Sequence, residues 1–276
     1  MIEMLEYGFM RQAFLAGALV ALAIGLIGPL VVINRMTFIA GGISHAAYGG
    51  IGLAFFLGWH PLLGALGFAM GSAISMGSIK RRFRERADTL IGVLWAAGMA
   101  LGIVFLDLTP GYKGDLMSYL FGSLLAVSDN DLMLIVALDV LIVLSVLLLY
   151  RQLVAVSFDE EFASVRGVRV NLVYLLLLVL VACAVVVLIR VVGLILVIAL
   201  FTMPAAIAGR LIYNLRGIMV ATSLISLFLI TGGLMASYYL NLSTGATIIL
   251  FSVFVYVCAL VRRPLSSSRA KQNAPA

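Results

Sequence analysis

One histidine lies deep within an apolar, glycine-rich stretch that is long enough to cross a membrane. The stretch reads Met36-Thr-Phe-Ile-Ala-Gly-Gly-Ile-Ser-His45-Ala-Ala-Tyr-Gly-Gly50, and His45 is one of only 2 histidines in the chain. It comes about ten residues into the apolar run, so a rise of about 1.5 Å per residue puts it roughly 15 Å deep, near the middle of a bilayer. An ionisable side chain at that depth indicates a functional site. Charging an imidazole there is costly, so we expect a neutral ring, which is a good ligand for zinc, manganese or iron.

Small residues surround this histidine. Residues spaced by four form two stripes along the same helix. One stripe is Gly41, His45 and Gly49, and the stripe beside it is Gly42, Ala46 and Gly50; Ser44 precedes His45. Such residues let helices approach closely, and they leave room beside the imidazole. We therefore predict that Gly41, Ser44 and Gly49 line a pathway at His45. A tightly packed helix interface that holds one satisfied histidine is the alternative.

A lone imidazole cannot hold a metal ion, so further ligands must come from other helices, from water or from a second copy of the chain. Asp139 is the only acidic residue well inside another apolar run. It could be a pathway carboxylate, and a polar contact between helices is the alternative. His60 follows Trp59 at the end of an apolar run, where a role in the aromatic belt at the membrane boundary explains it.

The sequence carries no pattern that is typical of catalysis. It lacks the Gly-x-x-x-x-Gly-Lys loop that binds nucleotide phosphates, and it has no carboxylate pair or serine–histidine arrangement. We therefore expect that the chain is not an enzyme and binds no cofactor. Cys183 and Cys258 both fall in apolar runs, which indicates packing residues; a role as a soft metal ligand is the alternative.

Composition defines the class of protein that positions these residues. Of 276 residues, 64% are hydrophobic and 11% are charged, whereas soluble domains carry about 25% charged residues. So much apolar surface cannot be buried in one soluble core, and we predict an all-α, polytopic integral membrane bundle. The net charge of +6 is explained by orientation in the membrane and does not indicate nucleic-acid binding.

Nine apolar runs are candidate membrane spans, at roughly residues 12–33, 37–57, 61–79, 89–108, 131–150, 171–189, 191–208, 217–240 and 245–261. Pro204 interrupts the run at 191–208, which could be a broken or partial helix and would leave eight full spans. Residues 1–263 are predicted to form one transmembrane domain. A disordered cytoplasmic tail is predicted over residues 264–276.

Lysine and arginine placement orients the chain. The basic segment Lys80-Arg-Arg-Phe-Arg-Glu-Arg86 is expected on the cytoplasmic side, and alternating spans place the other strongly basic loops there too. Arg190 falls on the outer side, where we expect it to snorkel to the membrane surface. Also outside, the apolar segment from Asp115 to Val127 is predicted to form an amphipathic or re-entrant helix.

A short patterned segment on the cytoplasmic side, at about residues 157–168, is predicted to form a helix lying across its loop. Ser157 is expected to cap it, acidic residues in its first turn complement the helix dipole, and Gly167 is expected to end it. Phe158 and Phe162 would share one face. Either a soluble partner docks on this helix or the helix lies among the lipid headgroups.

Six short motifs occur in an order that resembles the permease subunit of the manganese/zinc/iron ABC importer family. They are Gly42-Ile-Ser-His-Ala46, Leu120-Phe-Gly-Ser123, Phe158-Asp-Glu-Glu-Phe-Ala163 with Gly167, Val192-Gly-Leu-Ile-Leu-Val197, Met203-Pro-Ala-Ala206, and Ser237-Tyr-Tyr-Leu-Asn-Leu-Ser-Thr-Gly-Ala246. The resemblance runs from about Ala16 to about Val261.

This resemblance implies the transmembrane permease of an ATP-binding cassette importer for zinc, manganese or iron, in a prokaryotic plasma membrane. It implies a homodimer with the pathway between the copies, two ATPase subunits bound inside, and an extracytoplasmic metal-binding protein docking outside. The metal would be the transported substrate, and the partner subunits would use the ATP. The short cytoplasmic helix would couple the permease to the ATPase through Phe158, Asp159, Glu160, Phe162, Ala163 and Gly167.

The chain departs from the family at one position of the pathway. The family uses the histidine that matches His45 and commonly an aspartate one helical turn earlier, and here that position is Gly41. A hard oxygen ligand and a negative charge are therefore missing, for which Asp139 or backbone carbonyls are candidate replacements. An ABC importer of a metal chelate or another small solute is the alternative. An ion-driven secondary carrier is a further alternative, although such carriers usually show discontinuous helices and repeat symmetry, which are not evident here.

Overall fold

The computed structural model describes residues 7–82, 87–110 and 115–261. Over these ranges the chain forms eleven α-helices: α1 (Gly8–Ile33), α2 (Thr37–Leu57), α3 (Pro61–Arg82), α4 (Ala87–Leu108), α5 (Asp115–Phe121), α6 (Asp129–Phe158), α7 (Glu160–Val165), α8 (Val170–Val192), α9 (Val197–Leu211), α10 (Leu215–Leu240) and α11 (Thr244–Val261). Short 3-10 turns follow α5 and α8, at Leu124–Ala126 and Leu194–Leu196. The prediction of an all-α fold is confirmed.

Within the described ranges, 8 helices are long and apolar enough to cross a membrane: α1, α2, α3, α4, α6, α8, α10 and α11. The continuous span at 191–208 is wrong, and the alternative of a broken or partial helix, which leaves eight full spans, is confirmed. Val192 ends α8, Gly193 breaks the helix with a φ of 83° and a ψ of 157°, and α9 starts only at Val197. The 15 residues of α9 are shorter than the roughly 20 that a span needs, so α9 is a partial helix.

The helix that carries His45 is the most buried of the spanning helices. In the most apolar 18-residue stretch of α2, 78% of the residues are buried, and the helix packs mainly between α3 and α4. Helix α4 is the least buried of the spanning helices, at 22%. Apolar side chains exposed on such a helix face lipid or another subunit, because only an apolar surface is stable in the hydrocarbon region.

Three glycines from separate motifs meet at the expected outer face. Gly122 has a φ of 76°, which ends α5 and breaks the helix predicted from Asp115 to Val127. A β-carbon on Gly193 would collide with the backbone of the Gly122 segment, and one on Gly245 would collide with the carbonyl oxygen of Phe121. The motifs around these glycines are therefore parts of one packed junction between α5, α8 and α11.

The helix predicted at residues 157–168 is shorter than expected and has a different cap. Phe158 ends α6, and Asp159 caps α7 by accepting a hydrogen bond from the backbone N–H of Phe162 at 2.9 Å. Ser157 does not cap it, because its hydroxyl accepts a hydrogen bond from the Asn34 amide at 2.8 Å instead. Gly167 ends the helix as predicted, with a φ of 79°.

Arg190 does not snorkel to the surface, so that prediction is wrong. Its side chain is buried, with its Nε 2.9 Å from a carboxylate oxygen of Asp131, and it also donates to the carbonyl oxygen of Ala126. The other oxygen of Asp131 lies 3.5 Å from Nε2 of His60. We call His60, Asp131 and Arg190 the outer ion-pair cluster. The cluster joins the ends of α3, α6 and α8. Its buried charges are paired with each other, because an unpaired buried charge is costly.

Two sequence predictions lie wholly or partly outside the described residues. The basic segment at residues 80–86 extends beyond the described end of α3, and the tail at residues 264–276 lies entirely outside. The orientation that depends on the first and the disorder expected for the second stay predictions.

Candidate functional site

His45 is a buried imidazole near the middle of α2. Its side chain is 7% exposed, and its Nδ1 atom is buried with no hydrogen-bond partner among the described residues. The ring stacks on the indole of Trp95 from α4, with ring centroids 3.8 Å apart and an angle of 13° between the planes. The imidazole is therefore held by an aromatic contact that no sequence pattern indicated.

Glycine contacts bring α4 close enough for this stacking. A β-carbon on Gly98 would lie 3.0 Å from the backbone oxygen of His45, so the two helix backbones are nearly in contact. Trp95 comes three residues before Gly98 on α4, and residues at that spacing share a helix face. The close approach at Gly98 consequently places the indole over the imidazole.

The residues predicted to line a pathway are packed against neighbouring helices within one subunit. A β-carbon on Gly41 would meet Cδ1 of Ile198 at 2.5 Å, and one on Gly49 would meet the carbonyl oxygen of Gly98 at 3.0 Å. Ser44 is fully buried and donates a hydrogen bond to the carbonyl oxygen of Gly41 at 2.8 Å. Close helix packing is thus the arrangement in the single chain, and the lining of a pathway stays a prediction.

Asp139 is buried on a different part of the bundle. Its side chain is 3% exposed, and neither carboxylate oxygen has a hydrogen-bond partner among the described residues. It lies on α6, which packs mainly on α1 and α8, whereas α2 packs mainly on α3 and α4. The fold therefore does not pair Asp139 with His45 on neighbouring helices.

No complete metal site exists within the described part of one subunit. These residues contain no group of three or more histidine, cysteine, aspartate or glutamate side chains that could hold a metal ion. Both cysteines are free; Cys183 is buried and Cys258 is exposed. A cation at His45 would need ligands from water, from backbone or from a second copy.

The residues expected to couple to a partner form an exposed surface around α7. Phe158 is 66% exposed and Phe162 is 53% exposed, and Asp159 and Glu160 are exposed beside them. Ala163 is fully buried and anchors the helix. The side chain of Arg166 lies over the Phe162 ring, 4.8 Å from its centroid. The chain thus presents aromatic and acidic side chains together.

A bundle of spanning helices with a short exposed helix between two of them has the architecture of a membrane permease. The model of the ABC-3 transport family matches residues 6–263. The chain therefore belongs to the ABC-3 transport family, and it is a multi-pass membrane permease of the ATP-binding cassette class.

Similar proteins cover nearly the whole chain. An uncharacterised membrane protein of Synechocystis is 48% identical over 263 residues, which is 95% of this chain and 94% of that protein. A probable metal transport system membrane protein of Chlamydia pneumoniae is 36% identical, covering 90% of this chain and 86% of that protein. The manganese transport system membrane protein MntC of Listeria innocua is 29% identical, covering 95% of this chain and 93% of that protein.

Two solved structures have the same fold. PsaBC from Streptococcus pneumoniae, in complex with Fab, matches with a TM-score of 0.87 and 28% identity, covering 98% of this chain and 97% of that one. A metal-chelate type ABC transporter in an inward-facing conformation matches with a TM-score of 0.73 and 16% identity, covering 92% and 86%. The second likeness concerns the fold alone.

Proposed function

We propose that this chain is the permease subunit of an importer for a divalent metal ion, driven by separate ATPase subunits. The observation that carries the proposal is the match of the family model over residues 6–263. Relatives named for metal or manganese transport support it over nearly the same length. In this assignment the metal is the cargo, and the chain itself does no chemistry on ATP.

The cation would pass His45 at the interface between two permeases. One subunit offers a single imidazole there, and its described residues form no group of three or more histidine, cysteine, aspartate or glutamate side chains that could hold a metal ion. Two copies would offer two imidazoles, with water or backbone carbonyls completing the shell. Helix α4 packs on α2 and leaves most of its own surface free, so a second copy on α4 would bring the two His45 sites near the dimer axis.

The ATPase would bind at α7. Phe158 and Phe162 offer apolar anchors, and Asp159, Glu160 and Glu161 offer exposed charge. A helix lying among headgroups would bring three carboxylates against the negative cytoplasmic leaflet, which repels them. This favours docking on a soluble protein over the headgroup alternative. An extracytoplasmic metal-binding protein would deliver the cation at the opposite face.

A metal chelate is the second candidate cargo. The observation in its favour is the packing at Gly41, where Ile198 and Trp95 fill the space beside the glycine. No carboxylate from this position can help to strip water or a chelator from the metal. A chelated metal keeps its own ligands and needs none from the protein.

Transport by the assembled complex tests the function. The permease and its ATPase are reconstituted in liposomes, and uptake of Mn²⁺, Zn²⁺, Fe²⁺ and a ferric chelate is measured with and without ATP. We expect ATP-dependent uptake of one free divalent ion. Uptake of the chelate alone would favour the second candidate, and ATP-independent uptake without the ATPase would indicate a secondary carrier.

The coupling surface has its own test. Phe158→Asp with Phe162→Asp should lose the ATPase from the purified complex, because two exposed apolar anchors that the ATPase would cover become charged. Phe158→Tyr with Phe162→Tyr keeps the aromatic rings and is the matched control. A transport-competent complex in the aspartate variant would refute coupling at α7.

A further inference from the structure

We propose that Trp95 is the positioning residue of His45, which sets the plane of the imidazole so that a ring nitrogen can bind the transported cation. The inference rests on the proposed import function and adds a residue from a second helix to its site. It follows from the stacking geometry, from the unpartnered Nδ1 atom and from the small residues around the ring.

The stacking fixes the ring without covering its metal-binding atoms. A histidine binds a metal in the plane of its ring, through the lone pair of one nitrogen. The indole of Trp95 lies on the ring face, with an angle of only 13° between the planes and 3.8 Å between centroids. Rotation about the Cβ–Cγ bond would therefore collide with the indole, while in-plane approach to a nitrogen is not hindered by it.

The usual means of orienting a metal-binding histidine is missing at the Nδ1 atom of His45. A metal-binding histidine almost always donates its second ring N–H to a carboxylate, a backbone carbonyl or water, and that hydrogen bond sets the ring orientation. Here Nδ1 is buried and has no hydrogen-bond partner among the described residues. The residues of α2 one turn before and after the histidine, Gly41 and Gly49, carry no side chains that could hold the ring. The stacked indole is the contact that takes over this task.

The contact also becomes stronger when a cation binds. An imidazole that donates its lone pair to a metal becomes electron-poor, and an electron-poor ring is attracted to the electron-rich face of an indole. Cation–π contacts of this kind change affinity by about three- to thirtyfold. Trp95 therefore favours the loaded site over the empty one.

Transport kinetics of the reconstituted complex test the proposal. Trp95→Ala should raise the concentration of Zn²⁺ or Mn²⁺ for half-maximal uptake by about three- to thirtyfold. Trp95→Phe keeps a stacking ring and should restore most of the affinity. An equal loss in both variants, or a lower maximal rate at unchanged half-saturation, would overturn the proposal.

A spectroscopic measurement separates this proposal from the transport assignment. The chain has 2 tryptophans, Trp59 and Trp95. When the complex is labelled with fluorotryptophan, the resonance that disappears in Trp95→Phe belongs to Trp95. Added Zn²⁺ should shift this resonance, and His45→Ala should abolish the shift. This shift is measured without transport. A complex that takes up no metal therefore contradicts the import function while the role of Trp95 is still tested. No shift with any ion of the panel, or a shift that persists in His45→Ala, would overturn the positioning role.

Discussion

Removal of the Asp131 carboxylate should be among the most destabilising single changes in the outer ion-pair cluster of this permease. The carboxylate is buried, accepts from Nε of Arg190 at 2.9 Å, and accepts from the backbone N–H of Ser128 at 3.0 Å in a capping box. Breaking a buried ion pair leaves an uncompensated charge and costs about 3–5 kcal/mol. Loss of the hydrogen bond from the Ser128 N–H adds about 1 kcal/mol, so Asp131→Ala should lower the free energy of unfolding by about 4–6 kcal/mol.

A double-mutant cycle identifies the ion pair as the cause. Arg190→Met alone should cost about 3–5 kcal/mol, because it leaves Asp131 buried without its cation. Asp131→Ala combined with Arg190→Met removes both charges, so its cost should be smaller than the sum of the single costs by about 2 kcal/mol or more. Equilibrium unfolding of the purified permease in mixed detergent micelles measures these free energies.

Asp129 provides the matched control. It lies in the same first turn of α6, but it is exposed and accepts a hydrogen bond from the side chain of Gln12. Asp129→Ala should therefore cost about 1 kcal/mol or less. Equal costs at positions 129 and 131, or strictly additive costs in the cycle, would refute the buried ion pair.

Three further changes test the packing and capping of the fold. Gly193→Ala forces a φ of 83° on a residue with a side chain and should cost about 1–3 kcal/mol from strain alone, seen as a lower Tm; an unchanged Tm would contradict the junction. Gly50→Leu should abolish folding, because a β-carbon there meets the backbone of Gly64, and a normal yield of monodisperse protein would speak against this helix contact. Asp159→Ala should cost about 1 kcal/mol in α7, with faster backbone amide exchange from residue 160 to 165; unchanged exchange would exclude the cap.

Apolar runs predict where helices lie, but not where they stop. The predicted span at 37–57 coincides with α2, because Asn34 and Arg35 precede it and Gly58 ends it. Helix α6 continues to Phe158, eight residues beyond the predicted end at Tyr150, because helical hydrogen bonding does not require apolar side chains. An apolar run therefore indicates only the part of a helix that lies in the hydrocarbon region of the membrane.

Only part of the candidate site could be predicted from the sequence, because some of its contacts depend on how separate helices pack. The depth of His45 follows from its place in one run, and its burial could be expected from the small residues beside it. Its partner Trp95 could not, because the pairing depends on the register between α2 and α4, which the contact at Gly98 sets. Asp131 and Arg190 likewise lie 59 residues apart, and local spacing contains no information on such a pair.

Uptake by the reconstituted complex with and without the His45 imidazole tests the central claim most directly. The permease, its ATPase and ATP are combined in liposomes, and initial uptake is measured for the ion that the wild-type complex transports. We predict that His45→Ala abolishes uptake while the complex still assembles and hydrolyses ATP, and that His60→Ala, which removes the other histidine, retains it. Normal uptake by His45→Ala would contradict the assignment of α2 as the metal-binding helix.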